Sequence, residues 1–210
     1  MKKFLTVAAI AAALTAGSAS VVSAQAAGNS FEALLQQCAA NPEACASNPA
    51  IVQRLVAAAR QQGGNAAATQ ALIERAVATV TAANAAVVRS ACETNPASCA
   101  ARTRQALQAV RTVAQSAGVS PTVVNNAVGT VVATVVAVGN TGNKSAAVLR
   151  QISQAVQLAA DPQVGFVPSS NAAEQATINA RVQQALAVQQ SFNNGNTVSQ
   201  QVLAQLGSAN

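Results

Sequence analysis

A chain of 210 residues with a net charge of +6 and 51% apolar residues is long enough for one ordinary domain or a short array of repeats. It has no His, Trp or Tyr. That argues against hydrolases that pair a nucleophile with His, against mixed Cys/His zinc sites, and against the aromatic platforms on which nucleic-acid bases stack.

The N-terminus reads Met1-Lys2-Lys3, then an apolar run from Phe4 to Leu14, then small residues through Val21-Val22-Ser23-Ala24-Gln25-Ala26. This is the order of charged, apolar and cleavage regions in a bacterial-type secretory signal. Residues 1–26 are therefore expected to leave as a cleaved signal peptide, with the cut after Ala24 or Ala26. An uncleaved anchor is the alternative, but the apolar run is short for a bilayer and lacks a stop-transfer flank. Loss of Lys2 and Lys3 lowers the net charge from +6 to +4, a mild balance that suits a solubilising set of surface Arg. Thr, Asn, Gln or charged residues interrupt every later apolar run, so no integral membrane span is expected after cleavage.

Residues 27–210 read as one Ala-rich helical domain. Ala, Val, Gln, Asn, Ser and Thr dominate, and Phe31, Phe166 and Phe192 are its only aromatics. Without large rings each buried side chain contributes little area at about 25 cal/mol per Å². The offset is that Ala has the highest helix propensity and lets helices approach closely. Breakers cut the chain at Asn41-Pro42, Asn48-Pro49, Gly63-Gly64, Asn95-Pro96, Gly118 to Pro121, Gly139 to Asn143, Asp161 to Ser170 and Asn193 to Asn196. Asn48, Asn95 and Ser120 each precede a Pro, which places a capping side chain ahead of Pro at the first helical position.

Between the breakers, apolar residues recur at helical spacing. Leu72, Ala76, Val80, Ala83 and Val87 form one stripe, and Leu107, Val110, Ala114 and Ala117 form another. The Val-rich stretch from Pro121 to Val138 has strand propensity, yet Val124, Val128, Val131, Val135 and Val138 step by four and three, so helix is expected there as well. The fold class is all-α: a disulfide-stapled helical repeat array or irregular bundle of about seven or eight helices.

An internal repeat carries the cysteines. Cys38-Ala39-Ala40-Asn41-Pro42-Glu43-Ala44-Cys45 recurs as Cys92-Glu93-Thr94-Asn95-Pro96-Ala97-Ser98-Cys99, which suggests repeats at about 34–87 and 88–142 followed by a degenerate C-terminal portion. Leu158-Ala159-Ala160-Asp161-Pro162 resembles a third copy, with Leu158 and Gly165 in the Cys places. On a continuous helix the two Cys of a copy would stand about 10.5 Å apart, beyond disulfide reach. The Asn-Pro step removes this objection, because Pro disfavours helix in the residue before it. Asn41 and Asn95 should end one helix while Pro42 and Pro96 start the next at a new angle. The expected pairs are Cys38 with Cys45 and Cys92 with Cys99, each closing a stapled corner worth about 2.5 kcal/mol. Export makes oxidation the natural state. Zinc would want closer Cys pairs or His, and a redox pair would sit two residues apart at a helix start.

Other chemistry finds little support. Lys144 and Ser145 are neighbours, and adjacent residues on a helix do not face each other. The carboxylates Glu32, Glu43, Glu74, Glu93, Asp161 and Glu174 are sparse, and Glu32 and Glu43 fall in first turns, where they complement the helix dipole. Gly63-Gly64 and Gly139 to Gly142 lack the phosphate-loop pattern. Arg102, Arg104 and Arg111 make a small basic cluster without aromatics, so no nucleic acid is expected as a partner. No catalytic, cofactor or metal residue is assigned, and no enzyme activity is expected. The sequence points to a periplasmic or secreted structural or interaction protein that meets a protein or cell-surface partner and can self-associate. Two alternatives remain: a fibre or biofilm-matrix subunit built on segments such as Val119 to Val138, and a periplasmic carrier of a small apolar ligand.

Overall fold

In a computed structural model, residues 30–207 are described; the expected signal peptide lies outside them. They form nine α-helices and no strand: α1 (Phe31–Ala40), α2 (Pro42–Ser47), α3 (Pro49–Gln62), α4 (Ala66–Thr94), α5 (Cys99–Ala117), α6 (Pro121–Asn140), α7 (Ala146–Gln157), α8 (Ala172–Asn193) and α9 (Gln200–Gly207). Short 3₁₀ turns at Pro96–Ser98 and Leu158–Ala160 precede α5 and follow α7. The eight breakers of the sequence mark the boundaries between these helices, although Gly139 and Asn140 still belong to the last turn of α6 and Asn193 to that of α8, and the six-residue α2 brings the number to nine.

The caps explain the cuts. Asn41, Asn48 and Ser120 accept from Ala44 N (3.1 Å), Ala50 N (3.0 Å) and Val123 N (3.5 Å), each ahead of a Pro at the helix start. Asn95 departs from this expectation. It makes no side-chain cap, because the chain tightens into a 3₁₀ turn in which the Ser98 hydroxyl donates to the Asn95 carbonyl at 2.8 Å.

Two apolar clusters lie side by side. The first joins α1, α3 and the front of α4, around Phe31, Leu34, Leu55 and Val80; the second joins α6 to α9, around Val131, Val135, Ile152 and Phe192. Helices α4, α5 and α6 serve both. On α5, for example, Val110, Val113 and Ala117 face the first cluster while Ala106, Leu107 and Ala114 face the second. The boundary between the sequence repeats, at 87/88, falls inside the 29-residue α4, so the two copies share one helix.

Helix α6 is the centre. Val124, Val128, Val131, Val135 and Val138 are all buried, and Val132 and Val136 join them. The expected stripe on α4 is displaced by one residue at each end: Leu72 and Val87 are half-buried, while Ile73 and Val88 are buried. By length and composition alone, α4 and α6 are long and apolar enough to cross a membrane. Here both pack as core helices, with 50% and 61% of their most apolar windows buried.

Candidate functional site: the stapled corners and their clefts

Each Cys motif folds as a closed corner. Asn41 (φ −136°, ψ 79°) and Asn95 (φ −142°, ψ 83°) share nearly the same non-helical backbone, as the following Pro requires. That bend brings the paired α-carbons to 4.9 Å for Cys38–Cys45 and 4.4 Å for Cys92–Cys99. All four Cys are buried, the first pair in the first apolar cluster and the second pair in the second. Each core therefore holds one staple. Two disulfides are consistent with an oxidising extracellular or periplasmic location.

The degenerate third copy is a corner as well. Asp161 stands where Asn41 stands in the first, but its carboxylate accepts from the amide two residues on, Gln163 N at 2.8 Å, where Asn41 accepts from the third, and a turn follows in place of a helix. Gly165 N donates to the Asp161 carbonyl (2.7 Å) as Cys45 N does to that of Asn41 (3.1 Å). Closure here comes from backbone contact: Phe166 N donates to the Ala159 carbonyl at 3.0 Å, and a methyl group on Gly165 would collide with the carbonyl oxygens of Leu158 and Ala159. Glycine replaces the second Cys because the chain passes too close for any side chain.

The three corners are linked through the start of α5. Residues two apart on a helix point to nearly opposite flanks, so Arg102 and Arg104 reach in different directions. Arg102 pairs with Glu43 of the first corner at 3.5 Å, and Arg104 with Asp161 of the third at 3.4 Å. Arg111, two turns beyond Arg104, donates to the Pro162 carbonyl at 2.9 Å. The basic cluster of the sequence is thus divided among neighbours, and its members act as corner-to-corner braces.

A cleft opens on each flank. Between the first corner and α5 lies one of about 300 Å³, lined by Glu43, Ser47, Asn84, Arg102 and Gln105. Between α5 and the third corner lies one of about 600 Å³, with Ala101, Arg104, Gln154, Gln157 and Asp161 in its wall and Leu186 at its side. No family model, curated protein or solved structure matches this chain. The assignment of a site therefore rests on geometry.

Other candidates have local roles. Ser145 accepts from Val148 N at 3.3 Å as the cap of α7, and Lys144 precedes that cap outside the helix. Glu32 receives both guanidinium nitrogens of Arg75, at 2.5 and 2.9 Å, with the Phe31 ring beneath the cation at 5.9 Å. Glu174 accepts from the hydroxyls of Ser169 (2.6 Å) and Thr122 (2.5 Å), which hold its carboxyl below the usual range. No group of three or more Cys, Asp or Glu gathers as a metal site among the described residues.

Six polar side chains that the sequence reading did not single out are buried among the described residues, and Asn125 and Arg181 each tie separate elements together. Asn125 accepts from Val167 N (2.7 Å) and donates to Val167 O (3.0 Å), pinning the irregular segment after the third corner onto α6. Arg181 is only 6% exposed and donates to Asn126 Oδ1 at 3.1 Å; burial lowers its pKa from the ordinary value. No sequence signal separates these from the many exposed Asn and Arg of the chain.

Proposed function

We propose that this chain is an exported, non-enzymatic scaffold of the cell envelope or extracellular space, acting through surface contact after its signal peptide is removed. The observation that carries the reading is the row of three corners, braced by Arg102–Glu43 and Arg104–Asp161 and anchored by one disulfide in each core. Such an arrangement supports a rigid, extended face of the kind that stacked repeats use for binding. A fibre built from Val119 to Val138 would first have to withdraw α6 from the centre of the molecule, where Val128, Val131 and Val135 are fully covered. A carrier of apolar ligands wants apolar walls, and the larger cleft offers an ion pair and two Gln.

Fractionation of cells producing the full chain tests this reading. The expected product is recovered from the periplasm or medium, begins at Gln25 or Ala27, and yields the peptides Cys38–Cys45 and Cys92–Cys99 under non-reducing digestion. A cytoplasmic product with its N-terminus intact and its thiols free overturns it.

A further inference from the structure

We propose that the two clefts flanking the first turns of α5 form one binding surface for an uncharged, hydroxyl-rich polymer, a neutral polysaccharide. This rests on the exported-scaffold reading and names the partner of that same face. Four observations converge on the ligand chemistry. Each cleft contains one guanidinium and one carboxylate, Arg102 with Glu43 and Arg104 with Asp161, so each is close to neutral and presents donors and acceptors together. The pairs are long, at 3.5 and 3.4 Å, and their side chains stay 45% and 58% exposed in one case and 46% and 27% in the other. Hydrogen-bonding capacity is left over on every member. A sugar hydroxyl both donates and accepts, and so matches a mixed set that a purely anionic or cationic ligand would not.

The second observation is the floor. Ala46 and Ala106 in one cleft, and Ala100, Ala101 and Ala160 in the other, supply much of the apolar lining, joined by Val87 in the first and by Leu158 and Leu186 in the second. Protein interfaces usually depend on large, often aromatic, anchors, and no aromatic ring lines either cleft. Third, every Val, Leu, Ile and Phe among the described residues is buried or half-buried, so the outward surface is Ala, amides, hydroxyls and a few charges. It suits a hydrated partner better than an apolar one.

The fourth is the duplication. The clefts lie on opposite flanks of one helix, about 10 Å apart if separated by its width with side chains. Between them runs the exposed ridge of Ala101 and Gln105. A chain crossing this ridge meets a similar set of groups twice, which is what a repeating ligand provides, and two weak contacts on one polymer add through effective concentration.

Affinity electrophoresis of the exported, oxidised full chain, through native gels cast with dextran, hydroxyethylcellulose or galactomannan, tests the proposal. At least one neutral gel should retard it. The double substitution Arg102→Gln and Arg104→Gln should abolish retardation. Gln154→Ala with Gln157→Ala, which leaves both ion pairs in place, should weaken it while the helical circular-dichroism signal is unchanged. Equal migration in all three gels overturns the proposal. So does retardation only by alginate that salt removes, which would assign the face to a polyanion, or retardation only by gelatin, which would assign it to a polypeptide. If the gels fail while fractionation still finds the processed, oxidised chain outside the cytoplasm, the scaffold reading stands and the glycan assignment alone falls.

Discussion

Where aromatic rings are scarce, single close contacts matter. Phe192 is fully buried against Gly139 of α6, and an added methyl at that glycine would collide with the ring. On an exposed helix, Gly→Ala gains up to about 1 kcal/mol. Here Gly139→Ala should instead lose about 1–3 kcal/mol by overpacking, measured by urea denaturation. A gain would mean that Phe192 yields easily. Glu174 gives a prediction in pH. Its folded-state pKa is depressed by the Ser169 and Thr122 hydroxyls, so its contribution is present above the ordinary carboxylate pKa and fades as pH falls through the lower folded value. Amides of 165–171 should therefore lose protection, measured against their intrinsic exchange rates at each pH, as the native protein is acidified, and Glu174→Gln should flatten that dependence. An identical pH profile in the variant would remove Glu174 as the cause.

At the scale of the element, the breaks between helices were legible because Asn-Pro and Gly act locally: the residue before Pro leaves the helical region whatever surrounds it. Which face of a helix is buried was less legible. In α4 Ala lies on every side, so the stripes through Leu72 and through Ile73 fit the periodicity almost equally and tertiary contact decides between them. The third corner was only suggested, since Leu158 and Gly165 disguise the Cys places and backbone closure leaves no pattern of its own. Likewise, Arg102, Arg104 and Arg111 look like one patch in sequence, and only the fold places Glu43 and Asp161 on opposite sides of α5. The corners themselves are testable elements. Converting Cys38 and Cys45, or Cys92 and Cys99, to Ala should each cost about 2.5 kcal/mol from the loop-closure term. Adding a Cys at Gly165 should not restore a staple at the third corner, because its side chain has no room. A Leu158→Cys, Gly165→Cys variant that oxidised without loss of stability would show that this corner keeps the geometry of the other two.

For the whole molecule, the question is whether two cores with one disulfide each behave as two folding units or one. Separate units would need a boundary crossed by few contacts, as linkers between domains provide. Here the boundary is crossed by three long helices, and the faces of α5 alternate between the clusters within a single turn: Val110 belongs to the first, Leu107 and Ala114 to the second. Melting one core removes the packing that holds these helices for the other, so unfolding should be cooperative across both. Leu55→Ala in the first core and Ile152→Ala in the second, each fully buried, should cost about 2–5 kcal/mol. Both should lower the midpoint of one shared transition, seen alike by calorimetry and by far-ultraviolet circular dichroism. If instead Leu55→Ala splits the melt and leaves a later transition at the parent temperature, α4 to α6 can fray between the cores, and the row of corners would be a hinge rather than a rigid face.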